Sequence, residues 1–254
     1  MQHPRNYCVI YLPIHLKKGF NMKKIIFVTL TMFTLLKGYG QSGEKNLQIR
    51  QVPSFVGVDV SSGIDLYLSN GPESVSIFAS STDLRDHIVT EVVGGILRIH
   101  MENNWFHHKE NAKMKAYVSI NNLKTLEGSG GGDIIFENLI KGDHLDVHLS
   151  GGGTLIGKLN VNRLVINQSG GSEVKLSGNV QNLELNASGG GNLNGFDLVT
   201  DFASIRASGG SETELTVNKE LRAVVSGGGD ITYKGTASVK EIKSSGGGRV
   251  THKD

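Results

Sequence analysis

Beyond residue 122 the apolar positions return in fixed columns, measured from a recurring serine. Three residues before it stand Leu126, Val147, Ile166, Leu185, Ile205, Ala223 and Ile242. Five before it, in the central repeats, stand Leu145, Leu164, Leu183, Ala203 and Leu221. Five after it stand Ile134, Leu155, Val174, Leu193, Thr213, Ile231 and Val250. Alternation by two on either side of a glycine break predicts a strand, a corner and another strand. A further column, Leu159, Val180, Leu198 and Val217, predicts a short third face that closes each turn.

The serine opens a Ser-Gly-Gly phrase at Ser129, Ser150, Ser169, Ser188, Ser208, Ser226 and Ser245, in steps of 21, 19, 19, 20, 18 and 19 residues. A constant period near this length marks one supersecondary unit stacked on copies of itself. Helical repeats are excluded, because adjacent glycines in every unit would break any helix. An antiparallel meander reverses direction at each turn and would not superpose identical columns at one period. The expectation is therefore an all-β, right-handed parallel β-helix, a solenoid with coils of about nineteen residues and glycine-rich corners, each coil about 4.8 Å beyond the last.

Nineteen of the chain's 34 glycines lie in these seven corners. Each loses roughly 0.5–1 kcal/mol of backbone entropy, so the corners must meet a geometric need, with positive φ the expected one. The serines are expected to stack as an internal ladder, each hydroxyl bonding the next coil or a corner amide. All four prolines (Pro4, Pro13, Pro53 and Pro72) precede the repeats, where every amide is wanted for the ladder.

Residues 41–121 are less regular but read as one continuous domain with the repeats of 122–254, starting or capping their stack. Alternation predicts strands near 56–60, 64–68, 75–78, 89–93, 96–100 and 115–120. Ser81-Thr82-Asp83 predicts a capped helical turn through Leu84 to His87, and Gly94-Gly95 a hairpin-like turn. Ser61-Ser62-Gly63-Ile64-Asp65 reads as a divergent copy of the later corner. After the last corner an open edge is expected, which invites a homo-oligomer through strand pairing.

The first 40 residues read as a presequence. Translation is expected to start at Met22, with Lys23-Lys24, an apolar run Ile25 to Leu36 and small residues at Gly38-Tyr39-Gly40 forming a signal peptide of 22–40. That run is short for a bilayer span, so no integral membrane segment is expected after cleavage. The segment 1–40 also holds six Lys and Arg and no acid, leaving 20 basic against 24 acidic residues, a net of −4. The overall charge of +2 thus belongs to the presequence, and nucleic acid is not an expected partner. The single cysteine, Cys8, leaves with it, removing disulfide, thiol and thiolate–metal chemistry. Export to the periplasm, the outer membrane or the medium is expected.

An exported chain carrying FVGVDVSSGIDLYLSNG from Phe55, EVVGGILRI from Glu91 and a run of SGGGD-type corners resembles the head GIN domain family, autotransporter adhesin heads of Bacteroidetes-type bacteria. The likeness covers roughly 55–250. It implies a right-handed parallel β-helix, an envelope or surface location and no established enzymatic activity. Ile64-Asp65 stands where the family name suggests Ile-Asn, and the pattern includes no membrane-anchoring barrel, which argues against self-sufficient autotransport.

Candidate sites follow from the stacking. The residue after each corner forms a column: Asp133, Thr154, Glu173, Asn192, Glu212, Asp230 and Arg249. It reads either as an acidic stripe for Ca²⁺ or a basic partner, or as a solvated rung in which Asp230 pairs with Arg249; the second is favoured. Trp105-Phe106 reads either as a platform for a sugar or partner, or as a cap over the coil. His100, His107, His108, His144 and His148 lack a metal-ligand spacing and are expected as exposed loop residues. No catalytic residue, metal or cofactor is assigned. The expected role is a non-enzymatic, adhesin-like binding module with a glycan or an envelope protein as partner. The alternatives are a carbohydrate-active β-helix enzyme, with Glu212 and Asp230 as its acids, and a purely structural periplasmic scaffold.

Overall fold

The structure is a computed structural model and describes residues 46–102 and 112–254. The presequence reading and the Trp105–Phe106 site lie outside those residues. The described chain forms one 17-stranded sheet wrapped into a parallel β-solenoid of about seven turns. Its strands begin with β1 (Leu47–Arg50), β2 (Gly57–Val60), β3 (Asp65–Ser69), β4 (Ser74–Ala79), β5 (Ile88–Val93) and β6 (Ile96–Met101). They continue with β7 (Met114–Ser119), β8 (Thr125–Gly130), β9 (Ile134–Phe136), β10 (Ile140–Gly151), β11 (Thr154–Gly170) and β12 (Glu173–Gly189). The last are β13 (Asn192–Gly209), β14 (Glu212–Gly227), β15 (Asp230–Lys234), β16 (Ser238–Gly246) and β17 (Arg249–His252), while one short helix, α1 (Thr82–Asp86), lies between β4 and β5.

Every coil pairs in parallel with the next, in the register that the apolar columns predict. Leu164, Leu183, Ala203 and Leu221 are successive partners, and so are Ile166, Leu185, Ile205 and Ala223. All eight are buried and face one continuous core. The column's last member, Ile242, pairs with Ala223 in the ladder but is 47% exposed, because no further described coil stacks on it. The third face is a correction. Leu159 stacks on Gly178 and then Leu198, whereas Val180 lies between Val161 and Thr200, with Val217 beyond. The predicted single column is thus two inward columns, because the chain alternates twice on this face. Departures from the nineteen-residue step are absorbed here as well. The β12–β13 register shifts between Lys175 and Gly178, and the β13–β14 register near Gly195–Val199 and Thr200–Phe202, so the corners stay superimposed.

The first coils are not stacked in chain order. β2 lies between β6 and β8, and β3 between β7 and β9, so the chain's first corner is inserted as the second layer. Beyond that layer each ribbon ends in antiparallel strands. β5 returns along β6 through Gly94 and Gly95, both at positive φ, and β4 runs between β7 and β1. β1 has no counterpart in the sequence reading, since it is only four residues long, although Leu47 and Ile49 alternate with Gln48 and Arg50. α1 is capped by Ser81, whose hydroxyl accepts the Leu84 amide at 3.2 Å, and Leu84 is its buried residue.

Candidate functional site

The site is built on the corners. The first glycine of each, from Gly130 through Gly151, Gly170, Gly189, Gly209 and Gly227 to Gly246, has φ between 81° and 107°. From Gly151 onward a Cβ at this position would come within 3.0 Å of the backbone of the preceding coil's glycine. The middle glycine plays a different part. Its amide donates to the first glycine's carbonyl one coil below, as in Gly171 to Gly151 and Gly190 to Gly170, both at 2.9 Å. The ladder therefore continues round the bend. Ser62, among the described residues the non-glycine residue with positive φ (62°), occupies the equivalent place in the inserted first corner, beneath Gly130.

The serine ladder forms, but on the outside, which corrects the expected internal stack. Ser129, Ser150, Ser169, Ser188 and Ser245 are exposed, and Ser208 and Ser226 half-buried. Their hydroxyls reach carbonyls of the coil below, with Ser169 to Leu149 at 3.5 Å, Ser188 to Gln168 at 3.4 Å and Ser208 to Ala187 at 3.3 Å. The inward positions belong to the residues beside the serines, because alternation in the strand leading into the corner sends Leu149, Gln168, Ala187, Ala207 and Val225 inside.

Small outward serines leave a furrow along the corner side of the solenoid, a groove of about 690 Å³. Its second wall is the column two residues before each serine. Asp59 stacks on Glu127, followed by His148, Asn167, Asn186 and Arg206. Asn186 Nδ2 donates to Asn167 Oδ1 at 3.0 Å, which orders the middle of the wall. Asp59 and Glu127 stand together toward one end, with Arg98 on the rung beyond Asp59, and Arg206 lies toward the other end, followed by Val224. Burial first, and then the neighbouring Glu127 charge, raise the Asp59 carboxyl above its ordinary pKa, with Arg98 and His100 pulling the other way. This column does not stand out in the sequence because its residues differ in kind from rung to rung. The available signal was a polar residue at one fixed offset between two inward positions. Asp59 was hidden further by the divergence of the first corner.

The acidic column predicted after the corners also forms, on neighbouring rungs: Glu173 beside Asn192, then Glu212, Asp230 and Arg249. It lies apart from the groove lining. Several of its oxygens are engaged along the stack. Asp133 Oδ1 accepts the Thr154 amide at 3.0 Å, Glu173 meets Lys175 at 2.8 Å and Asn194 at 2.9 Å, and Asp230 meets Arg249 at 3.2 Å. Among the described residues no group of three or more His, Cys, Asp and Glu is placed to hold a metal. Of the predicted histidines, His107 and His108 lie outside the described residues, and the other three are on strands rather than loops. His100 is half-buried in β6, and His144 and His148 lie in β10, where His144 pairs with Asp146 at 2.9 Å.

Fold and furrow together define a class: a repeat-built parallel β-solenoid with a polar, concave face along its glycine corners. Residues 54–237 match the family described as "Putative auto-transporter adhesin, head GIN domain", and the chain belongs to that adhesin-like family. Among solved structures it is similar to a "putative adhesin" from Bacteroides fragilis, at 23% identity and a TM-score of 0.74 over 83% of this chain and 98% of that one. It is also similar to a "Putative lipid binding protein" from Parabacteroides distasonis, at 20% identity and 0.67 over 84% and 98%. A third is a "putative adhesin" from Parabacteroides merdae, at 19% identity and 0.62, with the same coverage. At these identities the likeness establishes the shared fold. No curated protein matches the chain.

Proposed function

We propose that this chain is an exported, non-enzymatic binding module of the cell envelope, and that the corner-side groove is its binding face. The observation that carries this reading is the groove itself, whose two outward columns run in parallel for several coils. A rigid stack offers many weak contacts with little ordering cost on binding, which suits attachment. The basic, apolar and small-residue segments of 22–40 support export, and the adhesin-like family supports a surface role. A substitution that fills the groove tests it. Ser188 is exposed on the groove wall, in register with Ser169. Ser188→Tyr is expected to abolish attachment of the chain to envelope or host-surface material while its melting temperature is unchanged. Loss of the protein from intact cells under external protease tests the location. Attachment that survives the tyrosine would move the binding face elsewhere.

A second reading is favoured by one observation. Asp59 and Glu127 are adjacent carboxylates of which one is held protonated more readily than usual, as in pairs that hydrolyse glycosidic bonds. Release of reducing ends from a polysaccharide, lost in Asp59→Asn, would establish that reading in place of the first.

A further inference from the structure

We propose that the groove holds an extended glycan lying along the solenoid axis, with amine-bearing sugars at its Asp59–Glu127 end; this rests on the reading of the groove as the binding face. The volume of about 690 Å³ accommodates a short oligosaccharide. The walls present hydroxyls at Ser150, Ser169 and Ser188 and amides at Asn167 and Asn186, groups that donate and accept as sugar hydroxyls do. Among the described residues, the Asn167 amide nitrogen and the Asn186 amide oxygen have no protein partner, since their mutual bond uses the other two atoms.

Spacing selects the kind of chain. Successive rungs repeat the same groups about 4.8 Å apart, close to the advance of one sugar ring in an extended chain. An extended peptide advances about 3.3 Å per residue, so it cannot place one residue on each rung as a glycan places one ring. Charge then sets direction. Asp59 and Glu127 occupy adjacent rungs with Arg98 on the rung beyond Asp59, so the Glu127 side of the pair is where a ligand cation relieves the remaining repulsion. The same pair repels phosphates and uronates at that end, while Arg206 lies four rungs beyond Glu127.

Calorimetric titration of the full chain with glucosamine oligomers, N-acetylglucosamine oligomers and oligogalacturonate of matched length, near pH 6, tests this. Both glucosamine series are expected to bind, the free-amine series about tenfold more tightly, since one charge-assisted contact distinguishes them. Glu127→Gln is expected to bring the two series close together while N-acetylated binding persists, and Ser188→Tyr to remove both with the fold intact. Preference for oligogalacturonate, binding that survives Ser188→Tyr, or no saccharide binding at all would each overturn the proposal. In the last case, attachment still sensitive to Ser188→Tyr would keep the groove as binding face and point to a peptide or a second copy as its occupant.

Discussion

The Gly151 carbonyl accepts the Gly171 amide at 2.9 Å, and the same oxygen lies 2.8 Å from where a Cβ on Gly170 would stand. Adjacent glycines in one corner therefore have opposite needs. Gly170 is at φ 86° and packed against backbone, whereas a Cβ on Gly171 meets nothing within 4 Å. Gly170→Ala is expected to destabilise by about 1–3 kcal/mol through a strained φ and a backbone clash. Gly171→Ala is expected to stabilise by up to about 0.4–1 kcal/mol by reducing the freedom of the unfolded chain. Urea midpoints of the two variants should move in opposite directions with unchanged slope.

Inside the corners a polar cluster interrupts the apolar core. Gln168, Ser172, Ser211 and Thr213 are buried, and among the described residues their Oε1, Oγ, Oγ and Oγ1 atoms have no hydrogen-bond partner. Thr213 occupies the column that holds Leu193 on one side and Ile231 on the other. Replacing its hydroxyl with a methyl group of similar size removes an unsatisfied buried acceptor. Thr213→Val is expected to stabilise by about 1 kcal/mol and raise the melting temperature by about 2–4 °C. A loss of stability would mean that the hydroxyl is satisfied in solution.

The columns at Leu164 and Ile166 could be read from the sequence because a parallel stack puts like positions over like, so period and burial coincide. Gly94-Gly95, Ser81 and the degenerate Ser61 corner were legible for the same local reason, since turn and cap chemistry is written in adjacent residues. What escaped was set by non-local pairing. Insertion of β2 between β6 and β8 brings Asp59 beside Glu127, 68 positions along the chain, and no local pattern encodes that. The side taken by the serines turned on a single alternation step: Leu149, Gln168 and Ala187 point inward, so Ser150, Ser169 and Ser188 cannot. The groove wall was hidden because Glu127, His148, Asn167, Asn186 and Arg206 share a place and not a chemistry.

Asp59 gives the groove a pH signature. Its pKa is raised in the folded chain, chiefly by burial and then by Glu127. The folded state thus binds this proton more tightly than the unfolded state does. The contribution is favourable below the unfolded value, near 3.9, and is lost as pH rises through the folded value. At neutral pH the ionised carboxylate therefore weighs against folding. Asp59→Asn is expected to raise the melting temperature by up to about 2 °C at pH 7, an amount kept small by partial solvent access. At pH 3 the two proteins should melt together. A gain of equal size at both values would assign the effect to packing instead of charge.

Ile166 and Ile242 share one column, yet the stack makes them unequal. Ile166 is fully buried with Val147 and Leu185 on neighbouring rungs, whereas Ile242 has Ala223 on one side and is 47% exposed. Truncation at Ile166 leaves a cavity between two well-packed coils, so Ile166→Ala is expected to cost about 2–5 kcal/mol. Truncation at Ile242 removes contacts from one side only, and Ile242→Ala should stay within about 0.5 kcal/mol. Coils of a solenoid interact mainly with their neighbours, so a central defect severs coupling between the two halves while a terminal one frays a single rung. Hydrogen exchange after Ile166→Ala should accordingly rise in both adjoining coils. After Ile242→Ala it should rise only along β16 and β17. Equal losses from the two variants would mean that the last rung is covered in solution.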